Sequence, residues 1–507
     1  MSPDLERFRL RAFLESLGER EIERRTEPVE LGEIARALDG NPKAVWFASA
    51  GKEVAQLAAN VAGSRSRLAH AFGTTPDKLL GEVLARLAKS AEVVELDAST
   101  APAQQCVLTG SDADLTALPV HLQHALDGAP YISAAVDFTR DAETGFTNVG
   151  MRRLMLRGRR EAGVDLNAPS DLRAIYQAAV KRGERLPIAF VVGSHPIDQV
   201  AATLRLPGDE LALVAALRAA PLPVVKCATS DLRVPADAEY VLEGYLDERG
   251  YAEPEGPYGE FLGYYGVVKT NPVFHLTAIT HRRDAVFQTS TISGRALGRT
   301  DTAQLNALRT EVTVWRALES AVKGMRAVYA TPASGGAFNV RVALEQRVPG
   351  EARNAIAAVF GCLANVKHAF VVDPDVDIFS DEQMEWALAT RFQAERDLVV
   401  AGGFRAMPLD PSLRGARTGS KAGFDLTLPA LAPGQARPMD NRIPEPPRYE
   451  GTKFPSVEKA LGDGPKFFVE LMAALGSRDG REIVRDLEAL RLAGRLSRDG
   501  EGKYCQK

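Results

Sequence analysis

EPEGPYGEFLGYYG, residues 253–266, is the stretch on which the interpretation of the fold depends. It places two acids, Glu255 and Glu260, five residues apart across Gly-Pro-Tyr-Gly. On a helix this spacing would point the side chains apart, and the Gly-Pro pair disfavours a helix in any case. A tight turn can bring both carboxylates to one point, where one of them holds a proton because two close negative charges are costly. A surface turn with two solvated acids fits the pattern equally well.

The composition around this turn is that of a globular protein. The chain has 507 residues, 45% of them hydrophobic and 25% charged, and a net charge of −4, so we expect two to four domains. The near-neutral balance argues against a dedicated nucleic-acid or membrane-surface binder. The sequence has no secretion signal, and no apolar run approaches the roughly 20 residues of a membrane span. Four scattered cysteines without a C-x-x-C pair are typical of a reducing compartment, so we expect a cytoplasmic protein.

Hydrophobic patterning predicts an α/β (α+β) protein in three parts. Residues 1–113 form an N-terminal α/β domain, in which the helical stretches 5–18 and 77–89 flank a strand at 44–49. Residues 114–322 are rich in short β runs such as YISAAVDFTR (131–140) and LPIAFVVGS (186–194), as in a β-barrel or β-sandwich with inserted helices. Strand–helix alternation returns in residues 323–507, which form a C-terminal α/β domain.

The C-terminal third carries three local predictions. Ser380 and Gln383 have the spacing of a capping box at the start of the helix DEQMEWALATRF (381–392). Residues 408–449 are rich in Pro, Gly and Arg without periodicity, which indicates an irregular arm that is functional or reaches another subunit. The tail from Gly480 to Lys507 predicts a helix followed by a hairpin. It is similar to the last helix and wing of a winged-helix domain, although the sequence shows no sign of the other helices.

One competing interpretation is a nucleic-acid-associated protein, because RRLMLRGRR (152–160) is strongly basic. Such a run is more often a solvated face, and its alternation favours a strand that turns some arginines inward and others outward. A second competing interpretation is a flavin reductase or flavin carrier built on a β-barrel. Nucleotide-binding motifs do not distinguish these interpretations, because the sequence contains neither a Walker A loop nor a G-x-G-x-x-G turn.

The acidic turn and its surroundings resemble the UbiD family of prenylated-FMN-dependent decarboxylases. The turn is similar to the family's E-G-P-[YF]-G-[DE] signature followed by G-Y-Y. Further blocks that resemble the family are FTNVGMRRLML (146–156), LPIAFVVGSHP (186–196), DPDVDIF (373–379) and GSKAGFD (419–425). The resemblance covers roughly residues 25–450. It implies an N-terminal α/β domain, a central flavin-reductase-like split β-barrel that binds prenylated FMN, and a C-terminal α/β oligomerisation domain.

The resemblance implies a catalytic network of one arginine and two acids. Arg153, five positions after the asparagine of the upstream strand, matches the residue that positions the substrate carboxylate. Glu260 matches the proton donor. Glu255 matches the acid that holds Arg153 and influences the cofactor.

The resemblance also implies a metal site beside the cofactor phosphate. Asn148 and Glu210 match two metal ligands, and Lys421 matches a lysine near the flavin phosphate. Arg153 is expected to border the cofactor as well. The third metal ligand is a histidine in many relatives, and that position falls here on Asp171. Oxygen ligands of this kind suit Mn²⁺ or Mg²⁺, and K⁺ is a further candidate ion.

The implied reaction is the reversible, non-oxidative decarboxylation of a (hetero)aromatic carboxylic acid. The expected partners are that small-molecule acid, a flavin prenyltransferase that supplies the cofactor, and further copies of the chain in a homodimer or larger homo-oligomer. No nucleic acid or membrane is expected. Deleting Gly480 to Lys507 is expected to leave the activity per site intact, because that tail lies beyond the resemblance.

The substrate prediction depends on residues 287–306, FQTSTISGRALGRTDTAQLN, which wall the substrate pocket in relatives. Arg295 and Arg299 would suit a second carboxylate on a small ring. Furan-2,5-dicarboxylate, converted to 2-furoate, is the sharpest prediction, and it would put the chain in the branch of the family that decarboxylates this acid. Hydroxybenzoates and acrylic acids are the alternatives within the family. Equally, both arginines could face solvent or bind the cofactor phosphate.

Overall fold

The computed structural model describes residues 3–432 and 434–507. The chain separates into two compact units. The first comprises Met1–Gln346 and Gly350–Thr427, and the second comprises Arg347–Pro349 and Leu428–Lys507. Among the described residues, no helix is long and apolar enough to cross a membrane.

The helices and strands alternate irregularly along the chain. The helices are α1 Leu10–Ser16, α2 Leu31–Leu38, α3 Arg65–Ala71, α4 Leu79–Leu87, α5 Asp171–Lys181, α6 Pro196–Thr203, α7 Glu210–Arg218, α8 Asp301–Glu319, α9 Glu351–Gly361, α10 Asp381–Arg391, α11 Ala394–Asp397, α12 Val457–Gly462, α13 Phe468–Leu475 and α14 Arg481–Leu492. The strands are β1 Ile22–Arg25, β2 Ala44–Ala50, β3 Ala55–Ala59, β4 Val93–Leu96, β5 Cys106–Thr109, β6 Tyr131–Arg140, β7 Thr147–Leu156, β8 Glu161–Val164, β9 Leu186–Val192, β10 Leu222–Lys226, β11 Arg233–Pro235, β12 Tyr240–Leu246, β13 Glu253–Glu255, β14 Tyr258–Gly259, β15 Tyr265–Gly266, β16 Lys269–Asn271, β17 Val273–His281, β18 Val286–Thr289, β19 Met325–Ala330, β20 Asn339–Leu344, β21 His368–Val372, β22 Leu398–Arg405, β23 Thr418–Leu426, β24 Leu496–Arg498 and β25 Tyr504–Gln506.

The centre of the first unit is a closed antiparallel barrel. Its six strands run in the order β12-β9-β6-β7-β8-β17, and β17 pairs again with β12 to close the ring. The closing seam has a bulge at Glu243 and Gly244. A Cβ on Gly244 would lie 2.0 Å from the carbonyl oxygen of His275, so only glycine allows the strands to approach this closely. This barrel confirms the predicted α/β fold with a central β-barrel.

The N-terminal sheet is built from two distant parts of the chain. Its order is β1-β2-β3-β18, and β18 joins β3 in parallel after the barrel strands have intervened. Val286 of β18 packs into the apolar cluster beneath this sheet, together with Phe13 and Leu14 of α1. A smaller sheet has the order β11-β10-β4, and its three strands come between β3 and β18 along the chain.

The C-terminal part of the first unit is a five-stranded sheet in the order β19-β20-β21-β23-β22. The predicted arm at 408–449 is therefore not irregular throughout, because residues 418–426 form β23 between two neighbouring strands. A glycine-rich strand lacks the apolar alternation that would have revealed it. Ser380 accepts a hydrogen bond from the backbone of Gln383 as predicted, but the Gln383 side chain accepts from Asp377 and not from Ser380.

The second unit contains more helices than the sequence indicated. The tail does form a helix and a hairpin, α14 with β24–β25, but α12 and α13 precede them. Lys466, between α12 and α13, pairs with Tyr504 of the hairpin. A helix, a bridging residue, two further helices and a hairpin follow one another in a winged-helix domain in the same order. The missing helices were overlooked because α12 is short and α13 is apolar almost throughout.

Candidate active site

A small hairpin carries the two acids of the opening segment. Glu255 ends β13, and Glu260 follows directly after β14, which pairs with β15. Gly256 between them has φ +98°, a backbone conformation that favours glycine, and the bond from Gly256 to Pro257 is cis. This compact path turns both carboxylates toward Arg153 on β7 of the barrel.

Arg153 binds three carboxylates. Its Nε lies 3.1 Å from Glu255 Oε1, its Nη1 lies 3.0 Å from Glu260 Oε1, and its Nη2 lies 2.9 Å from Asp165 Oδ2. The guanidinium also stacks over the ring of Tyr258, with its carbon 4.6 Å from the ring centre. The structure thus brings together Arg153, Glu255 and Glu260, which the resemblance grouped, and adds a third acid.

Asp165 and Asn271 are members of this cluster that sequence reasoning missed. Asn271 donates to Glu255 Oε2 at 3.2 Å and to Asp165 Oδ1 at 3.4 Å. Asp165 directly follows β8, and Leu154 of β7 pairs with Val164 of β8. Arg153 and Asp165 therefore occupy the next position along the same pair of strands, where opposite charges attract each other. Only a correct pairing of β7 with β8 could have revealed this from the sequence.

Two of the acids around Arg153 have pKa values that shift in opposite directions. Burial raises the pKa of Glu260, although Arg153 opposes the change, and the negative charge of Asp165 adds to it. Burial also disfavours ionised Asp165, but Arg153 and Lys269 outweigh it and lower the pKa of that carboxyl. Of these two, Glu260 retains a proton more readily and Asp165 stays ionised more readily.

A loop at 121–129 holds the acid-bearing turn in place. The Tyr258 hydroxyl donates to the Gln123 side chain, and Gly259 donates its amide hydrogen to Asp127 Oδ1 at 2.9 Å. A Cβ on Gly128 would lie 2.3 Å from the carbonyl oxygen of Gly256, so the loop and the turn are in close backbone contact. The residues that precede Glu260 are therefore fixed by this loop.

A second polar site lies at the other end of β7. Val149 donates its amide hydrogen to Glu210 Oε2 at 2.5 Å, and Thr147 donates to Asp209 Oδ2 at 3.0 Å. Asp209 caps α7 and Glu210 begins it, so the helix start is fastened to the strand. Asn148, between the two anchored amides, is buried, and its side-chain oxygen makes no hydrogen bond.

The charges at this second site fit a bound cation. Burial, together with the nearby negative charges of Asp137 and Asp171, raises the pKa of Glu210 to about 7. Asp137 is fully buried without a hydrogen bond on either oxygen, although Arg152 Nε is 3.3 Å away. Unpaired buried oxygens and repelling carboxylates are the surroundings in which Mg²⁺ or Mn²⁺ is stable. Within residues 3–432 and 434–507, however, no three His, Cys, Asp or Glu side chains form a metal site by themselves, so Asn148 would be required.

Asp171 is the least settled of the predicted ligands. It is the first residue of α5 and is exposed, whereas Asn148 and Glu210 are buried. Its negative charge acts on Glu210 and on Arg205, so Asp171 lies in their neighbourhood, and its role as a ligand stays a prediction.

Several cations with few counter-charges adjoin the second site. Lys421 on β23 is buried, and its ammonium donates to the Phe360 carbonyl oxygen at 2.7 Å. Burial lowers the pKa of Lys421, and the nearby positive charge of Arg405 lowers it as well. Arg205 interacts with Arg405 and with Glu210, and burial together with Arg205 lowers the pKa of Arg309 to about 10. Arg405 thus acts on both Lys421 and Arg205, and such a group of cations suits an anion such as a phosphate.

The predicted substrate arginines lie on the surface. Arg295 and Arg299 are both exposed, and Arg299 donates to the carbonyl oxygen of Gly40 at 3.0 Å. The start of the same segment is closer to the acids. Thr289 accepts from Gln123, the residue that also accepts from Tyr258.

Three family profiles match the chain in order. They are the 3-octaprenyl-4-hydroxybenzoate carboxy-lyase N-terminal domain at residues 19–87, the Rift-related domain at 94–296, and the C-terminal domain at 303–426. These are the domains of UbiD, and they cover most of the first unit.

Individual relatives agree with the profiles. Anhydromevalonate phosphate decarboxylase from Methanosarcina mazei is 32% identical over 371 residues, which are 73% of this chain and 84% of that protein. The UbiD-class enzyme HmfF from Pelotomaculum thermopropionicum, in complex with FMN, is 33% identical with a TM-score of 0.78, covering 89% of this chain and 98% of that one. Its evolved dimeric form, in complex with prFMN, is 32% identical with a TM-score of 0.75, covering 83% and 95%. The 3,4-dihydroxybenzoic acid decarboxylase of Klebsiella pneumoniae is 27% identical with a TM-score of 0.75, covering 83% and 94%.

The chain belongs to the UbiD family, and it is an enzyme of the carboxy-lyase class. The barrel, the acid turn and the polar site at Asn148 and Glu210 are therefore parts of one UbiD-family enzyme.

Proposed function

We propose that the protein decarboxylates a (hetero)aromatic carboxylic acid with prenylated FMN and a divalent metal. The observation that carries the proposal is the partly buried Arg153, which contacts three carboxylates, among them Glu260, whose pKa is raised by burial. HmfF, a similar structure, binds FMN and, in its dimeric form, prFMN. When bound, the prenylated flavin supplies the electron sink that no side chain offers for loss of CO2.

The residues of the cluster divide the remaining work. Arg153 attracts the substrate carboxylate. Protonated Glu260 binds a guanidinium only weakly, so the substrate carboxylate can replace Glu260 as the partner of Arg153 Nη1. Glu255 and Asp165 keep the guanidinium oriented meanwhile. After CO2 leaves, Glu260 delivers its proton to the ring carbon that carried the carboxylate, and a proton from solvent restores it.

Asn148, Glu210 and Asp171 would hold Mn²⁺ or Mg²⁺, with K⁺ as a further ion. Lys421 and Arg205 would face the cofactor phosphate. The metal would offset the repulsion among the acids, and the phosphate would offset that among the cations. A flavin prenyltransferase is the expected supplier of the cofactor, and a homodimer or larger homo-oligomer is the expected assembly.

Furan-2,5-dicarboxylate is the proposed substrate, and a hydroxybenzoate is the second candidate. Similarity to HmfF supports the first, and similarity to the 3,4-dihydroxybenzoic acid decarboxylase supports the second. Of the two predicted arginines, Arg295 is the better contact for a second carboxylate, since Arg299 already donates to Gly40.

The test is a substrate panel on protein purified from cells that also express a flavin prenyltransferase. Mono- and dicarboxylates of furan, pyrrole and benzene are compared, with Arg295→Ala and Arg299→Ala alongside. Loss of turnover on diacids alone in the Arg295 variant supports a dicarboxylate substrate. Equal rates on mono- and diacids in all three proteins contradict it, and no turnover of any acid by cofactor-loaded protein contradicts the decarboxylase proposal itself.

The nucleic-acid alternative is not favoured. The basic run forms β7 and the turn after it, where Arg152 and Arg153 pair with acids inside the protein. In the winged-helix-like unit, positive and negative side chains balance on the exposed face of α14, without the basic surface of a DNA-binding helix. These residues are Arg481, Glu482, Arg485, Asp486, Glu488 and Arg491.

A further inference from the structure

The Arg153 cluster contains one more acid than an arginine with two glutamates requires. Each of the three guanidinium nitrogens lies within 3.1 Å of a different carboxylate, and Asp165 makes the shortest of the three contacts at 2.9 Å. If all three acids were ionised, the two positive charges of Arg153 and Lys269 would face three negative charges in a largely buried site. Such a site takes up a proton, and the structure indicates which acid receives it.

Asp165 is built to remain ionised. Its Oδ1 accepts from the backbone and the side chain of Asn167, both at 3.3 Å, and from Asn271, while its Oδ2 faces Arg153. Both oxygens are thus surrounded by donors, which stabilises the charged form. Asn271 is itself fixed, because its side-chain oxygen accepts from the backbone of Leu166.

Glu260 is held differently. Within the described chain its carboxylate accepts one hydrogen bond, from Arg153 to Oε1, and Oε2 has no hydrogen-bond donor. Oε2 is therefore the free position for a proton in the cluster. Glu255, by comparison, accepts from Arg153 and Asn271.

We propose that Asp165 is a positioning residue that makes Glu260 the proton donor, because it holds and neutralises Arg153 while Glu260 carries its proton. The inference rests on the proposed function and deepens it. Asp165 acts through Arg153 and does not touch the substrate. Without Asp165, Arg153 would stabilise the ionised form of Glu260 more strongly, and Glu260 would lose its proton.

The sign of the effect follows from the charges around Glu260. Asp165 and Glu255 are negative, Arg153 and Lys269 are positive, and the rings of Tyr131 and Tyr258 and the carboxylate of Asp127 complete the surroundings. Removing the negative charge of Asp165 favours ionised Glu260, so protonated Glu260 should persist only to lower pH. Removing the positive charge of Lys269 should have the opposite effect.

The experiment follows the proton on Glu260 directly. Difference infrared spectra across a pH titration record the C=O stretch of protonated carboxyl groups, and Glu260→Gln identifies the band that belongs to Glu260. Asp165→Asn is expected to move its titration to lower pH by about one to two units, the size of one charge roughly 6 Å away. Lys269→Met is expected to move it to higher pH. Asp114→Asn is the matched control, since Asp114 pairs with Arg159 outside the cluster, and it should cause no shift.

Turnover provides a second measurement on cofactor-loaded protein. Asp165→Asn should lower kcat about ten-fold at neutral pH, shift the falling limb of the pH profile to lower pH, and leave cofactor content unchanged. Asp165→Glu, which keeps the charge, should restore part of the activity. An unshifted Glu260 titration in Asp165→Asn, or an equal shift in Asp114→Asn, would overturn the proposal.

Two further outcomes are decisive. If Asp165→Asn does not fold, Lys269→Met alone decides, because the absence of a shift to higher pH overturns the electrostatic coupling. The infrared titration needs no turnover. Protein that shows the predicted shifts but decarboxylates nothing would therefore support the role of Asp165 and contradict the proposed function.

Discussion

The two ends of strand β7 carry opposite kinds of site. At one end, Arg153 is matched by Asp165, Glu255 and Glu260, and almost every charged atom has a partner within the chain. At the other end, Asn148 has an unpaired oxygen, Glu210 faces other acids, and Arg205 faces other cations. The first is preorganised by the protein alone, as proton transfer requires. The second has unbalanced charges that a metal and a phosphate would neutralise, so ligands should stabilise this end far more than the first.

The largest expected effect comes from breaking the matched end. Arg153→Ala leaves three carboxylates without their cation, two of them buried and the third, that of Asp165, partly buried, which typically costs about 3–5 kcal/mol of stability. We expect a lower melting temperature and loss of nearly all turnover, even in protein that retains cofactor. Arg159→Ala, an exposed arginine on the following turn, is the control for thermal unfolding and should change little. Wild-type turnover in the Arg153 variant would show that the cluster is not the reaction centre.

A milder change at the same end separates charge from shape. Glu260→Gln keeps the size of the side chain and still accepts from Arg153, so folding and cofactor content should be preserved. Turnover should fall about 10²–10⁴-fold, the usual contribution of a positioned acid. Single-turnover kinetics with cofactor absorbance recorded in parallel is the measurement. A wild-type rate would mean that another group donates the proton.

At the unbalanced end the expected loss is of ligands before activity. Glu210→Ala should remove metal and flavin together, measured by metal analysis and by the absorbance of purified protein. Asp171→Ala should weaken both less, because Asp171 is exposed and Glu210 is buried. Asp209→Asn, next to Glu210 but bound to the backbone of Thr147 and Leu211, is the control. Full flavin retention without Glu210 would contradict its assignment as a ligand.

The smallest effect is expected from the second unit. A deletion after Thr427 removes nearly all of it, and activity per site should remain close to wild type. The deletion from Gly480 is a poorer test, because Ile483, Leu487 and Leu490 form the core of this unit and their loss would expose α12 and α13. Size-exclusion chromatography reports whether the subunit number changes. Inactive protein with normal cofactor content after the deletion at Thr427 would give this unit a role in catalysis.

The sequence predicted what local patterns encode and missed what pairing between strands creates. Strand β6, at residues 131–140, was predicted in full because its run of residues is β-rich, and both of its faces are buried. Arg153 and the two glutamates could be grouped by resemblance. Asp165 could not, because its position depends on the register of β7 with β8, and strand β23 escaped notice because its glycines hide the alternation. The charges at Arg205 and Arg405 come together only in the folded chain.

The split origin of the N-terminal sheet has a consequence for synthesis of the protein. Strand β3 must wait for its parallel partner β18, whose residues leave the ribosome only after every barrel strand has been made. Until then the edge of β3 is unpaired, and Val286 is missing from the cluster beneath the sheet. We therefore expect residues 1–113 expressed alone to aggregate or bind chaperones, and the first stable structure on the ribosome to appear only when residue 289 has emerged.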